Sequence, residues 1–241
     1  MRVVAVADTD SYVKWAAALV ADARIDGRLL VLDTDLVVSD AQLASALTGT
    51  GLADDKVRRT SFAELPLALA DADVVLAAAR GPVARVAARA AARHTPRAVI
   101  ATGLPGISIP PTWLALHFRR GCDLFVLHSH REVREFARLA EERGIEQRFA
   151  LATLPFARSA DGRRAAPAGT DLVFAAQAVV PRDEPQRAAL ARLLVDAARA
   201  DPTRRVVVKL RGRAGEAQTH REFVAYPELL SRMADVPPNL V

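Results

Sequence analysis

Short, almost wholly apolar runs alternate with stretches of helical period over residues 1–156. Arg2–Ala7 (RVVAVA), Leu29–Leu32, Asp73–Ala79, Ala98–Ile100 and Leu124–Leu127 read as strands buried on both faces, which marks a parallel sheet rather than a half-solvated one. Lys56–Thr60 is more charged and is expected near a sheet edge, and Arg148–Thr153 reads as the last strand of the series. Helices are predicted over Tyr12–Arg24, over Ser39–Leu47 behind a serine cap, and over Val83–Arg93, where Gly81-Pro82 opens the first turn, in which proline's missing N–H costs nothing. Another starts at Pro110-Pro111-Thr112 and carries Trp113, Leu116 and Phe118 toward the core. After His130, the residues Val133, Phe136, Ala137 and Ala140 keep helical spacing as far as Gly144, a C-terminal cap. This alternation predicts an α/β, Rossmann-like domain built on a parallel sheet.

The segment 157–169 (ARSADGRRAAPAG) has no period and reads as a linker. Beyond it, over 170–241, strand-helix alternation resumes: Asp171–Ala176, then Glu184–Ala200 with Leu190, Leu193 and Leu194 on its apolar side, then Val206–Leu210, then a short helix Pro227–Met233. A further strand is expected at Asn239-Leu240-Val241. One strand-helix-strand unit with one more helix cannot cover both faces of a parallel sheet, so this is the start of a second Rossmann-like domain unless its strands extend the first sheet.

Ligands of open α/β sheets bind at the carboxyl ends of the strands. Thr102, Gly103 and Gly106 follow one central strand and His128, Ser129 and His130 follow the next, which makes them candidates. Asp8-Thr9-Asp10-Ser11 follows the first strand; its last three residues are candidate caps, and Asp8 and Asp10 are also candidates for a site. That turn lacks glycine, so it is not the dinucleotide fingerprint, and Gly49 and Gly51 lack the Lys-Ser/Thr of a phosphate loop. His128 and His130 have a spacing that metal sites use, without further ligands to complete a set, and Ser129 reads as a helix cap rather than a nucleophile. Alternation sends Lys209, Arg211 and Arg213 to one side of a strand end, where they suit a diphosphate or a sugar carboxylate, or simply solvent. His220 lies in the polar loop that follows.

Composition changes this picture little. The chain has 241 residues, a net charge of +5 and a pI near 10.1, but its basic residues are dispersed and no helix-turn-helix, zinc-finger or aromatic platform points to nucleic acid. Cys122 is the only cysteine, which excludes an intrachain disulfide. No secretory leader precedes the first strand and no apolar run approaches a membrane span, so a cytoplasmic protein, at most membrane-peripheral, is expected.

The stretches AVADTDSYVKWAAAL, TGLPGIS, DLFVLHSHREVREF, RFALATLPF, LVFAAQAVVPRDEPQR, VVVKLRGRAGEAQTHRE and YPELL together resemble an uncharacterised family of bacterial glycosyltransferases. More distantly, the chain is similar to glycerophosphotransferases and capsular sialyltransferase-like enzymes of GT-B architecture, which pair two Rossmann-like domains. The resemblance implies an acceptor-side domain over 1–156 and the opening of a donor-side domain over 170–241, with more of that domain beyond Val241 and little transferase activity without it. It implies a nucleotide-sugar as substrate, a hydroxyl acceptor, and no cofactor or bound metal. Thr102-Gly103 stands where the glycerophosphotransferases carry a His-Gly pair with the base, and Lys209-Leu210-Arg211-Gly212 where they carry Lys-x-His-Pro. With that histidine missing, Asp10 and His128, both at strand ends, are the candidate bases. Asp8, Ser11, Thr102, Gly103, Gly106, Ser129 and His130 fall on the acceptor side, and Gln177, Arg182, Lys209, Arg211 and His220 on the donor-phosphate side. Nucleotide-sugar 2-epimerases share the architecture and are the enzymatic alternative; a non-catalytic module that binds an anionic ligand or a partner protein is the other.

Overall fold

The computed structural model describes residues 1–155, 169–212, 216 and 222–241. Arg213, His220 and most of the segment read as a linker lie outside the described residues. The chain divides into two compact units, Met1–Ser159 and Ala160–Val241.

Among the described residues, the first unit holds one seven-stranded sheet, with every pairing parallel. Its strands are β1 (Arg2–Ala7), β2 (Asp26–Leu32), β3 (Val57–Thr60), β4 (Val74–Ala77), β5 (Val99–Gly103), β6 (Leu124–Leu127) and β7 (Phe149–Leu151), in the spatial order β3-β2-β1-β4-β5-β6-β7. The helices are α1 (Asp10–Val20), α2 (Asp40–Leu47), α3 (Leu65–Ala68), α4 (Gly81–Ala91), α5 (Trp113–Arg119) and α6 (His130–Glu142). Period two splits β1 between two cores: Val4 and Val6 join Leu30, Ile100 and the alanines of α4, while Val3, Ala5 and Ala7 join Leu29, Val31 and the buried side of α1. A third cluster closes the far side of the sheet, where Phe125 and Phe136 meet edge to face with centroids 5.3 Å apart.

Local chemistry sets the boundaries. Ser39 caps α2 in a reciprocal box, its Oγ accepting from Gln42 N at 3.1 Å while Gln42 Oε1 accepts from Ser39 N at 2.9 Å. Helix α1 stops at Val20, short of Arg24, because Asp22 folds the chain back by accepting from both the backbone N–H and the guanidinium of Arg24. It also starts earlier than Tyr12, with Thr9 in the cap position but without a side-chain capping bond. Charged β3 lies at the edge, as its composition requires.

The second unit pairs β8 (Leu172–Ala175) with β9 (Val206–Lys209) in parallel and packs α7 (Glu184–Ala200) and α8 (Tyr226–Ser231) against them. These strands form their own sheet and do not extend the first. Leu240 bridges Val206 in parallel, with Val206 N donating to Asn239 O and Val241 N to Val206 O, both at 2.8 Å, so the last residues lie alongside β9 as a strand would.

Candidate active site

The sheet order reverses between β1 and β4, and in open parallel sheets the crevice at such a reversal is where ligands bind. The end of β1 delivers Asp8 there and the end of β4 delivers Arg80. Asp8 is wholly buried; its Oδ1 accepts from Arg80 N at 2.9 Å and its Oδ2 from Arg80 Nε at 2.7 Å. The same guanidinium reaches outward to Asp35 Oδ1 at 2.7 Å and Thr34 Oγ1 at 3.3 Å, on the loop after β2. Hydrogen bonding to Asp35 and Asp8 raises the Arg80 pKa, and Arg80 holds the Asp35 carboxyl below its ordinary range. An Asp–Arg–Asp chain therefore runs from the sheet interior to solvent. Both oxygens of Asp8 thus accept from Arg80, which anchors that arginine at the strand end.

A second cation braces the same strand end. Arg119, buried on α5, donates through Nη2 to Tyr12 Oη and to Ala79 O, both at 2.8 Å, and through Nη1 to Ala115 O at 3.2 Å. Burial pushes the Tyr12 phenol up despite the opposing pull of Arg119, so Tyr12 is neutral. Asp10 and Ser11, in the first turn of α1, are exposed beside this buried framework.

The neighbouring strand ends are used differently. Thr102 is fully buried and its hydroxyl donates to Ala77 O at 2.9 Å, which binds β5 to β4. Gly103 is where the Trp15 indole needs room: a Cβ there would lie 2.5 Å from Trp15 Cη2 and 3.1 Å from Val126 O. Both residues, expected on the acceptor side, make packing contacts within the sheet. Gly106 sits in the loop after β5 with open space where a Cβ would be, and His130 is exposed in the first turn of α6.

His128 meets Trp15 edge-on at 6.0 Å, and its ring nitrogens lie 2.8 Å from two carbonyls, Nδ1 from Ala152 O and Nε2 from Leu104 O. Both nitrogens point at acceptors, so neither is turned toward a substrate proton. Ser129 caps α6, accepting from Glu132 N at 3.1 Å. Glu132, which sequence reasoning passed over, is fully buried and accepts from Ser108 N at 2.7 Å, His128 N at 3.1 Å and Ser129 Oγ at 3.1 Å, fastening the β5–α5 loop to α6. A Ser-x-x-Glu box at the start of a helix was the available signal.

In the second unit, Ala175 pairs with Lys209, so both strands end at the same level. Lys209, Arg211, Gln177 and Arg182 are exposed on the segments that leave this edge, an arrangement able to meet a polyanion. Among the described residues, no group of three or more His, Cys, Asp or Glu side chains is placed to hold a metal, and no helix is long and apolar enough to cross a membrane.

The fold is similar to that of the UDP-GlcNAc 2-epimerase from Neisseria meningitidis, solved with UDP-GlcNAc bound. Identity is 12% and the TM-score 0.50 over 86% of this chain and 65% of that one, so the chain spans just under two thirds of that protein's length. A second UDP-N-acetylglucosamine 2-epimerase structure matches at 11% identity and a TM-score of 0.49, over 93% of this chain and 69% of that one. At such identities the first likeness establishes the fold alone, Rossmann-like and of GT-B type. No curated protein matches the chain. Residues 3–241 match the family described as "Putative glycosyltransferase (DUF6716)", and with nearly the whole length covered the chain belongs to that family.

Proposed function

We propose that this chain is a glycosyltransferase that moves a sugar from a nucleotide-activated donor to an acceptor hydroxyl. Family membership supports the reaction class, and one observation supports the assignment of roles: of the two candidate bases, His128 faces two carbonyls with its ring nitrogens, and Asp10 is exposed at the start of α1, beside the sheet reversal. The first unit takes the acceptor. Asp10 accepts the hydroxyl proton as that oxygen forms its bond to the anomeric carbon, and the bond from that carbon to the donor phosphate breaks. The second unit takes the donor, where Gln177 and Arg182 meet the phosphates and Lys209 with Arg211 balances the charge that grows on the departing nucleoside diphosphate.

Mass-spectrometric product analysis with a panel of nucleotide-sugars, with and without hydroxyl acceptors, tests this reading. Asp10→Asn is expected to slow transfer by about a hundred- to ten-thousand-fold while leaving nucleotide affinity unchanged. An Asp10→Asn variant as fast as the wild type would remove Asp10 from the mechanism. Conversion of the donor sugar to its epimer without any acceptor would replace the transferase reading with an epimerase.

A further inference from the structure

The second unit keeps one arginine entirely inside. Arg187, in the first turns of α7, is wholly buried, and its guanidinium serves two separate segments. Nη1 donates to Gln177 O at 2.9 Å and Pro181 O at 3.2 Å, with Ala178 O at 3.5 Å, all between β8 and α7. Nε donates to Val224 O at 2.9 Å, and Nη2 lies 3.4 Å from a Glu222 carboxylate oxygen, both on the approach to α8. The guanidinium carbon stands 4.5 Å from the centre of the Tyr226 ring.

Burying a cation is expensive, and an apolar side chain would fill this part of α7 at lower cost. What the guanidinium supplies is a rigid fork of donors for carbonyls that no helix or strand satisfies, and an ammonium on a flexible stem cannot reproduce that fork. The loop it shapes carries the exposed side chains of Gln177 and Arg182.

We propose that Arg187 is the positioning residue for donor binding: it fixes the β8–α7 loop in the form that presents Gln177 and Arg182 to the donor phosphates, and ties that loop to the approach to α8. This rests on the donor-binding role given above to the second unit.

Arg187→Lys and Arg187→Met in the full chain test it, with nucleoside diphosphates and nucleotide-sugars titrated calorimetrically and amide hydrogen exchange followed in parallel. The expected result for Arg187→Lys is faster exchange confined to 176–183 and 222–225, protection unchanged in α7 and β9, and nucleotide affinity lower by on the order of tenfold. Arg187→Met is expected to lose at least as much affinity. Wild-type affinity in a folded Arg187→Lys protein overturns the proposal, as does a loss of affinity accompanied by faster exchange throughout α7 and β9, which marks a general structural role. A wild-type chain that binds no nucleotide sinks the donor-binding reading itself, and with it the proposed role, while the exchange pattern still decides whether Arg187 holds the loop.

Discussion

Taking away Arg80 would leave the Asp8 carboxylate inside the sheet with a single backbone N–H for company, whereas taking away Asp8 leaves an arginine that is a quarter exposed and still paired with Asp35. The two losses are therefore unequal. Arg80→Met is expected to destabilise the first unit by about 3–5 kcal/mol, the cost of an uncompensated buried charge, and Asp8→Asn by less. The double variant should cost less than the two separate losses combined, since the charge stranded by one change is removed by the other. Urea unfolding measures all three, and an Arg80→Met protein as stable as the wild type would show that Asp8 does not depend on its partner. Asp8 was legible as a candidate because it ends an unmistakable strand. Arg80, Arg119 and Arg187 were not, because nothing in a sequence rich in arginine separates a guanidinium that will be held by carboxylates or buried against carbonyls from one that will face water. His128 shows the converse: its place at a strand end was legible, but the two carbonyls that occupy its ring come from residues 24 positions away on either side.

Strands and helices meet on terms that a single atom can upset. Helix α1 lays Trp15 against β5 at Gly103, where the indole occupies the space of a side chain. Gly103→Ala must push back a rigid, wholly buried ring or the strand itself, so it is expected to destabilise the protein by about 1–3 kcal/mol. Nucleotide affinity of the folded variant should stay at the wild-type value; a stable Gly103→Ala protein with weakened ligand binding would return Gly103 to the site. At this scale the sequence was read well where local chemistry decides, as in the Ser39 cap of α2 and the charged edge strand β3. It was read less well where a short element carries no period: the single turn of α3 went unseen, and β7 proved only three residues long. The place of the reversal was not legible either. Hydrophobic runs mark the ends of β1, β5 and β6 alike, whereas only the spatial order of the strands puts the crevice between β1 and β4.

Across the whole chain, the two units offer contrasting edges. The first sets Asp8 and Asp35 on either side of the Arg80 guanidinium at its sheet reversal, with Asp10 exposed nearby; the second exposes Lys209, Arg211 and Arg182 where its parallel strands end. An acidic edge suits a neutral hydroxyl substrate that must give up a proton, and a basic edge suits a leaving diphosphate. The central claim, that this is an enzyme of nucleotide-sugars, is tested most directly by calorimetric titration of the chain with nucleoside diphosphates and their sugars, beside a Lys209→Ala, Arg211→Ala double variant. The account predicts saturable binding of at least one nucleotide and weaker binding by the variant. A folded chain that binds none of them, or one whose affinity is untouched by losing both cations, would contradict it.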